Sequence, residues 1–142
     1  MKITADTPMG VVALARLGYE EVKRLALAGE LTKDIMAVAA DGAQEYLKAM
    51  ASGDVASPEL ARMRVGSQAS GCAHCPSMRI TPSDIEVDGG HLFKLWCGKF
   101  GKPDMGSPRP TCGCLVGVKI NGAAYPGPKV WVGSEKCPQG LW

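Results

Sequence analysis

The 142 residues are 46 % apolar and 21 % charged with a formal charge of +2, a balance that suits a folded globular chain and argues against a disordered or strongly nucleic-acid-binding tail. No run of about 18 apolar residues occurs, which argues against a membrane span. The opening Met1-Lys2-Ile3-Thr4-Ala5-Asp6 lacks the apolar segment of a secretory signal.

The first half predicts helices. Thr7-Pro8 has the form of an N-cap followed by proline at the first helical position, where the missing N–H costs nothing. Val11, Leu14, Ala15, Gly18, Val22 and Leu25 then recur on one helical face, and Gly29 supplies a C-cap. Thr32 offers the next N-cap, before a second stripe of Ile35, Val38, Ala39, Gly42, Ala43, Tyr46, Leu47 and Met50 that Ser52-Gly53 closes. Ser57-Pro58-Glu59 opens a shorter third helix, with Glu59 near its positive end, and Gly66 ends it. Two amphipathic helices joined by a few residues make an antiparallel hairpin. Its Ala- and Gly-rich stripes predict close backbone approach, and so small a hairpin needs the rest of the chain, or a neighbouring subunit, to cover it.

The second half changes character. Residues 66–142 hold 13 of the 18 glycines and 8 of the 10 prolines, which predicts turns and short strands. Strands are expected at Ile85–Val87, His91–Trp96, Leu115–Ile120 and Lys129–Val132, and Gly98–Thr111 is a loop by composition. The expected fold is α+β: a helical hairpin with a short third helix over residues 1–66, then a small, metal-stabilised, β-rich, zinc-ribbon-like module over 67–142.

All six cysteines fall in that module, as Cys72-x2-Cys75, Cys97, Cys112-Gly-Cys114 and Cys137-Pro138. Cys-x2-Cys is a compact chelate, because two intervening residues let both thiolates turn toward one ion. A second ligand pair must come from elsewhere, and Cys112, Cys114 and Cys137 are the obvious pool. Four thiolates around zinc would supply folding free energy that a Gly/Pro-rich segment does not gain from its own core. Cys72, Cys75, Cys112 and Cys137 are the core ligand candidates, followed by Cys114 and then Cys97, which ends a predicted strand and also reads as a plain buried thiol. An iron–sulfur cluster is the alternative, since proline follows both Cys75 and Cys137. Disulfides are the third reading, disfavoured without an export signal.

Other groups carry weaker signals. His74 lies inside the Cys-x2-Cys turn, where side chains point to solvent, and His91 reads as a turn residue; neither is a first-choice ligand. Asp84, Glu86 and Asp88 alternate along a predicted strand and so share one solvated face. Cys97 with His91 would make a nucleophile and base, but the other thiols already account for a structural cluster. Cys72-Ala73-His74-Cys75 has redox-dithiol spacing without the βαβ surroundings of that motif. No phosphate loop, Gly-x-Gly-x-x-Gly, His-Glu-x-x-His or Gly-x-Ser-x-Gly is present, so no catalytic residue is assigned and no enzymatic activity is expected.

Lys94, Lys99, Lys102, Arg109, Lys119, Lys129 and Lys136 accumulate in the second half with Phe93, Trp96 and Phe100 among them. This leaves a zinc-ribbon nucleic-acid binder as an alternative. Residues 72–142 nevertheless carry only eight Lys/Arg against five Asp/Glu, and residues 1–71 eight against nine. A solvated basic face explains so small an excess.

The series Cys72-x2-Cys75, Cys97-Gly98-Lys99, Thr111-Cys112-Gly113-Cys114, Lys119 and Cys137-Pro138-Gln139-Gly140-Leu141-Trp142 resembles small cysteine-rich proteins encoded by bacteriophages and prophages. Those run roughly Cys-x2-Cys, Cys-x2-Cys-Gly-Cys with a lysine soon after, and Cys-Pro-x-Gly-x-Trp. Here the second block is interrupted by Gly98–Thr111, between Cys97 and Cys112. The resemblance covers about half the chain and implies a metal-stapled, non-enzymatic virion component, such as a head, neck or tail accessory protein. Its partners would be other virion subunits in an oligomeric assembly built in the host cytoplasm.

Overall fold

The computed structural model describes residues 3–4, 6–66, 71–72, 75, 77–87, 89–98, 114–137 and 142. The element order is α1 (Val11–Leu27), α2 (Lys33–Ser52), α3 (Pro58–Val65), β1 (Met78–Val87), β2 (Gly90–Cys97), β3 (Leu115–Ile120), β4 (Ala123–Pro126) and α4 (Pro128–Trp131). The α+β class is as expected.

Local chemistry sets the helix ends. The Thr32 hydroxyl accepts the Ile35 N–H at 3.2 Å, the Ser57 hydroxyl accepts that of Leu60 at 3.2 Å, and Gly53 closes α2 in the left-handed region. The start of α1 differs from expectation. The Thr7 hydroxyl bonds the Thr4 hydroxyl at 2.6 Å, and extended Gly10 takes the N-cap position, its carbonyl accepting the Leu14 N–H.

The four strands form an antiparallel meander in the order β1-β2-β3-β4. Thr81 faces Lys94, Arg79 faces Trp96 and Met78 faces Cys97, while Lys94 faces Val118 and Leu92 faces Ile120. This register separates two faces. Ile85, Val87, Leu92, Trp96, Leu115, Val118 and Ile120 pack with Ala13, Leu17 and Leu25 of α1 and Ile35 of α2. Leu95, Cys97 and Val116 pack with Val65 of α3 and Val130 of α4. The sheet is therefore the middle of three layers, and it supplies the cover that the helical segment lacks by itself.

Two expectations need correction. Lys129–Val132 is not a strand: Pro128 occupies the first turn of α4, where its fixed φ and missing N–H are tolerated, and only Val132 is extended, bridging Val55. The Ala/Gly stripes do not bring α1 and α2 into backbone contact. A Cβ placed on Gly18 or Gly42 would meet nothing within 4 Å. The side chains of Val38 and Ala39 lie outside the described residues. The close approach occurs instead at Gly117, where a Cβ would lie 2.4 Å from the Tyr125 carbonyl oxygen and 2.9 Å from Val65.

Candidate functional site: the thiol end of the sheet

β1 begins, β2 ends and β3 begins at the same edge, and this places cysteines from distant parts of the sequence side by side. The Cys72 carbonyl accepts the Cys75 N–H at 3.1 Å, and the Cys75 carbonyl accepts the Met78 N–H at 3.0 Å, so the Cys-x2-Cys turn runs directly into β1. Met78 is the register partner of Cys97, whose N–H donates to the Cys114 carbonyl at 2.9 Å. The Cys137 N–H donates to the main-chain oxygen of Trp142 at 3.1 Å, and the Trp142 indole N–H donates to the Cys72 sulfur at 3.3 Å.

Cys72 and Cys97 are buried in one cluster, with Trp142 packed against it. Burial pushes the Cys72 thiol up to about 11. The Trp142 hydrogen bond works against that rise, the nearby Cys137 and Cys75 add to it, and the Lys129 charge opposes it. Cys75 and Cys137, two further core ligand candidates, therefore lie near enough to Cys72 to act on its charge. Cys114 and Cys97 lie at the neighbouring strand ends. Cys112 and His74 fall outside the described residues. Among the described residues, no three His, Cys, Asp or Glu side chains are grouped as a ready metal site.

Two cations border this end. Arg64, buried at the end of α3, donates to the carbonyls of Val130 (3.1 Å), Val132 (2.7 Å) and Gly133 (2.9 Å). Its guanidinium also stacks 4.7 Å from the centre of the Trp142 ring. Lys129, equally buried, has its ammonium 5.9 Å from the same ring and 3.6 Å from the Glu135 carboxylate. The donor set suits a soft, thiophilic metal: sulfur ligands, an N–H on one sulfur and positive charge alongside. Sequence reading missed Arg64 and Trp142 as partners of the thiols. An arginine in a short amphipathic helix carries no local sign that it will meet a tryptophan 78 positions on.

The second feature opens toward α1 and α2 and reaches the thiol end. A groove of about 380 Å³ is lined by Val11, Leu14 and Val22 of α1, Tyr46 and Leu47 of α2, and Trp96, Cys114, Lys129 and Glu135. These include most of the stripe that the helical spacing assigned to hairpin contact. The face of α1 that is buried carries Ala13, Leu17, Glu21 and Leu25. Tyr46 spans one end of the groove, its hydroxyl donating to the Met9 carbonyl at 2.6 Å. Val11, Val12, Tyr19, Leu27 and Leu47 stay exposed.

Glu21 is fully buried and is the centre of a charged network. Arg24 and Arg79 bond one carboxylate oxygen; the Thr81 hydroxyl and the Lys94 ammonium approach the other, each at 3.3 Å. The Trp96 indole N–H donates to Thr81 at 2.8 Å, and Glu20 takes the Ser83 hydroxyl at 2.6 Å. Burial works to raise the Glu21 carboxyl, but the Arg24 hydrogen bond and the charges of Lys94, Arg24 and Arg79 together hold it below the ordinary carboxylate range.

The remaining sequence candidates separate by burial. Asp84 and Glu86 are exposed on β1, alternating with buried Ser83, Ile85 and Val87, and Asp88 lies outside the described residues. His91 is exposed opposite Glu86. Of the basic and aromatic residues considered for nucleic acid, Lys94, Lys129 and Trp96 are buried, and Phe93, Lys119 and Lys136 are exposed. Lys99, Phe100, Lys102 and Arg109 lie outside the described residues. No described helix is long and apolar enough to cross a membrane. No protein-family model, no curated protein and no solved structure matches the chain.

Proposed function

We propose that this protein is a cysteine-stapled structural subunit that works through protein–protein contact and not through catalysis, as an accessory component of a bacteriophage head, neck or tail. The observation that carries this reading is the groove lined by α1 and α2. An apolar channel lined in part by exposed Val11 and Leu47 leaves surface that a neighbouring subunit would remove from water. The phage setting rests on the cysteine pattern, including Cys137-Pro138 and Trp142.

The same reading assigns the thiol end a structural zinc, held by Cys72, Cys75, Cys112 and Cys137, with Cys114 and Cys97 as the nearest substitutes. A zinc-ribbon-like centre there would clamp the strand ends that Gly- and Pro-rich connections leave weakly determined. An iron–sulfur cluster is the alternative occupant of the same thiols. A nucleic-acid role gains less support, because Lys94 and Lys129 are turned inward to ion pairs with Glu21 and Glu135.

Copurification tests the assignment. A virion component travels with particles at fixed stoichiometry and loses that association when Leu47 in the groove is changed to Asp. Affinity for DNA or RNA that falls steeply with salt, in the absence of particle association, would overturn it in favour of a nucleic-acid binder.

A further inference from the structure

Trp142 occupies a position that packing alone does not explain. Its indole N–H is directed at the Cys72 sulfur at 3.3 Å, its main-chain oxygen receives the Cys137 N–H, and its ring centre lies 4.7 Å from the Arg64 guanidinium and 5.9 Å from the Lys129 ammonium. One residue thereby touches the first cysteine of the thiol end and ties down the last. Arg64 is satisfied by three carbonyls and Lys129 by Glu135, and both cations also lie against the ring that reaches Cys72. Beside thiolates the same cations are stabilising. Four thiolates around a divalent ion leave a net charge of about −2 to be balanced.

We propose that Trp142, with Arg64 and Lys129 against its ring, forms an outer-sphere clamp that stabilises the metal-bound thiolate state of the cysteine centre. Trp142 is a positioning residue in this arrangement. Its N–H bonds Cys72, and this bond strengthens when the sulfur becomes a thiolate. The ring fixes the two cations next to the developing charge and shields Cys72 from solvent. Lys129 acts on Cys72 through space, while Arg64 is held in place by three carbonyls and cannot turn away. The inference rests on the metal staple proposed above.

The test compares the full-length wild type with Trp142→Phe and Lys129→Met, each loaded with zinc and with cobalt(II). Phenylalanine keeps a ring beside the cations but removes the N–H. The clamp predicts roughly 10–100-fold weaker zinc binding for Trp142→Phe in competition with a chromophoric chelator. It also predicts a shift of the sulfur-to-cobalt charge-transfer band to lower energy, because a sulfur without its hydrogen bond holds its electrons less tightly. A structural role alone would leave that band in place. Lys129→Met should weaken zinc binding in the same direction, and it decides the matter if the Phe variant does not fold. Unchanged zinc affinity and band position in Trp142→Phe, or unchanged affinity in a folded Lys129→Met when the Phe variant is lost, would overturn the clamp while leaving the staple intact. A reduced wild type that takes up neither metal would overturn both.

Discussion

The Glu21 carboxylate and the Lys94 ammonium, each almost wholly removed from solvent, meet at 3.3 Å where α1 crosses the centre of β2. An apolar pair would fill this position more cheaply, since buried ions lose hydration that their attraction only partly restores. What the pair adds is directional. Arg24, Arg79 and Thr81 converge on the same carboxylate, so α1 has one rotation in which every buried charge is matched. Changing Glu21 to Ala strands Lys94 and should cost about 3–5 kcal/mol of unfolding free energy. The double change Glu21→Leu with Lys94→Met should cost less than that single change. Urea unfolding of the variants measures both.

The same carboxylate makes stability depend on acid. Its folded pKa lies below the ordinary value of 4.5, so its contribution is fully present above that pH and is lost as pH falls through the folded value. The melting temperature of the wild type should fall more steeply below about pH 4.5 than that of Glu21→Gln, which has no carboxyl to protonate. Parallel profiles would show that other groups carry the acid response.

Arg64 secures the opposite layer. Its three bonds to the Val130, Val132 and Gly133 carbonyls join α3 to the end of α4. Arg64→Met keeps the aliphatic stem and leaves three acceptors in want of donors. A loss of about 2–4 kcal/mol is expected from the unmet carbonyls. Arg64→Lys should recover only part of it, because an ammonium cannot reproduce the guanidinium fork. Denaturant midpoints at constant slope provide the comparison.

Tyr46 tests how the groove is held open. Tyr46→Phe removes the bond to the Met9 carbonyl while preserving the buried ring, and should cost about 1–2 kcal/mol. Amide exchange should speed up around Met9 and the second half of α2 more than in the sheet. By contrast, Leu47→Asp should change stability by no more than about 0.5 kcal/mol, since Leu47 is half exposed.

Local signals proved readable. The caps at Thr32, Ser57 and Gly53 depend on residues within a single turn, and they hold. The strand at Leu115–Ile120 was also legible, because an apolar run bounded by turn residues has few other uses. The buried face of α1 was not. Two stripes compete on that helix, and the one that enters the core contains Glu21, which looks solvent-facing until Lys94, Arg79 and Thr81 are seen opposite it. Lys94 itself interrupts an inward-facing alternation of Leu92 and Trp96, a sign that a charged partner waits across the layer. The Val-Trp-Val run at 130–132 suggested a strand, but Pro128 and the packing of α4 beneath β3 decided for a turn of helix. The spacing of the cysteines predicts one centre, and among the described residues they adjoin the strand ends without forming a group of three. That Cys75, Cys97 and Cys114 would lie at neighbouring strand ends depended on the register of the meander.

The central claim is that this thiol end holds a metal. Elemental analysis of protein purified under mild reducing conditions, paired with a count of reactive thiols among the six cysteines, tests it most directly. The account predicts about one zinc per chain with about two thiols left reactive, and loss of folded structure when the metal is chelated. Protein without metal and without reactive thiols would contradict it and would assign the staple to disulfides.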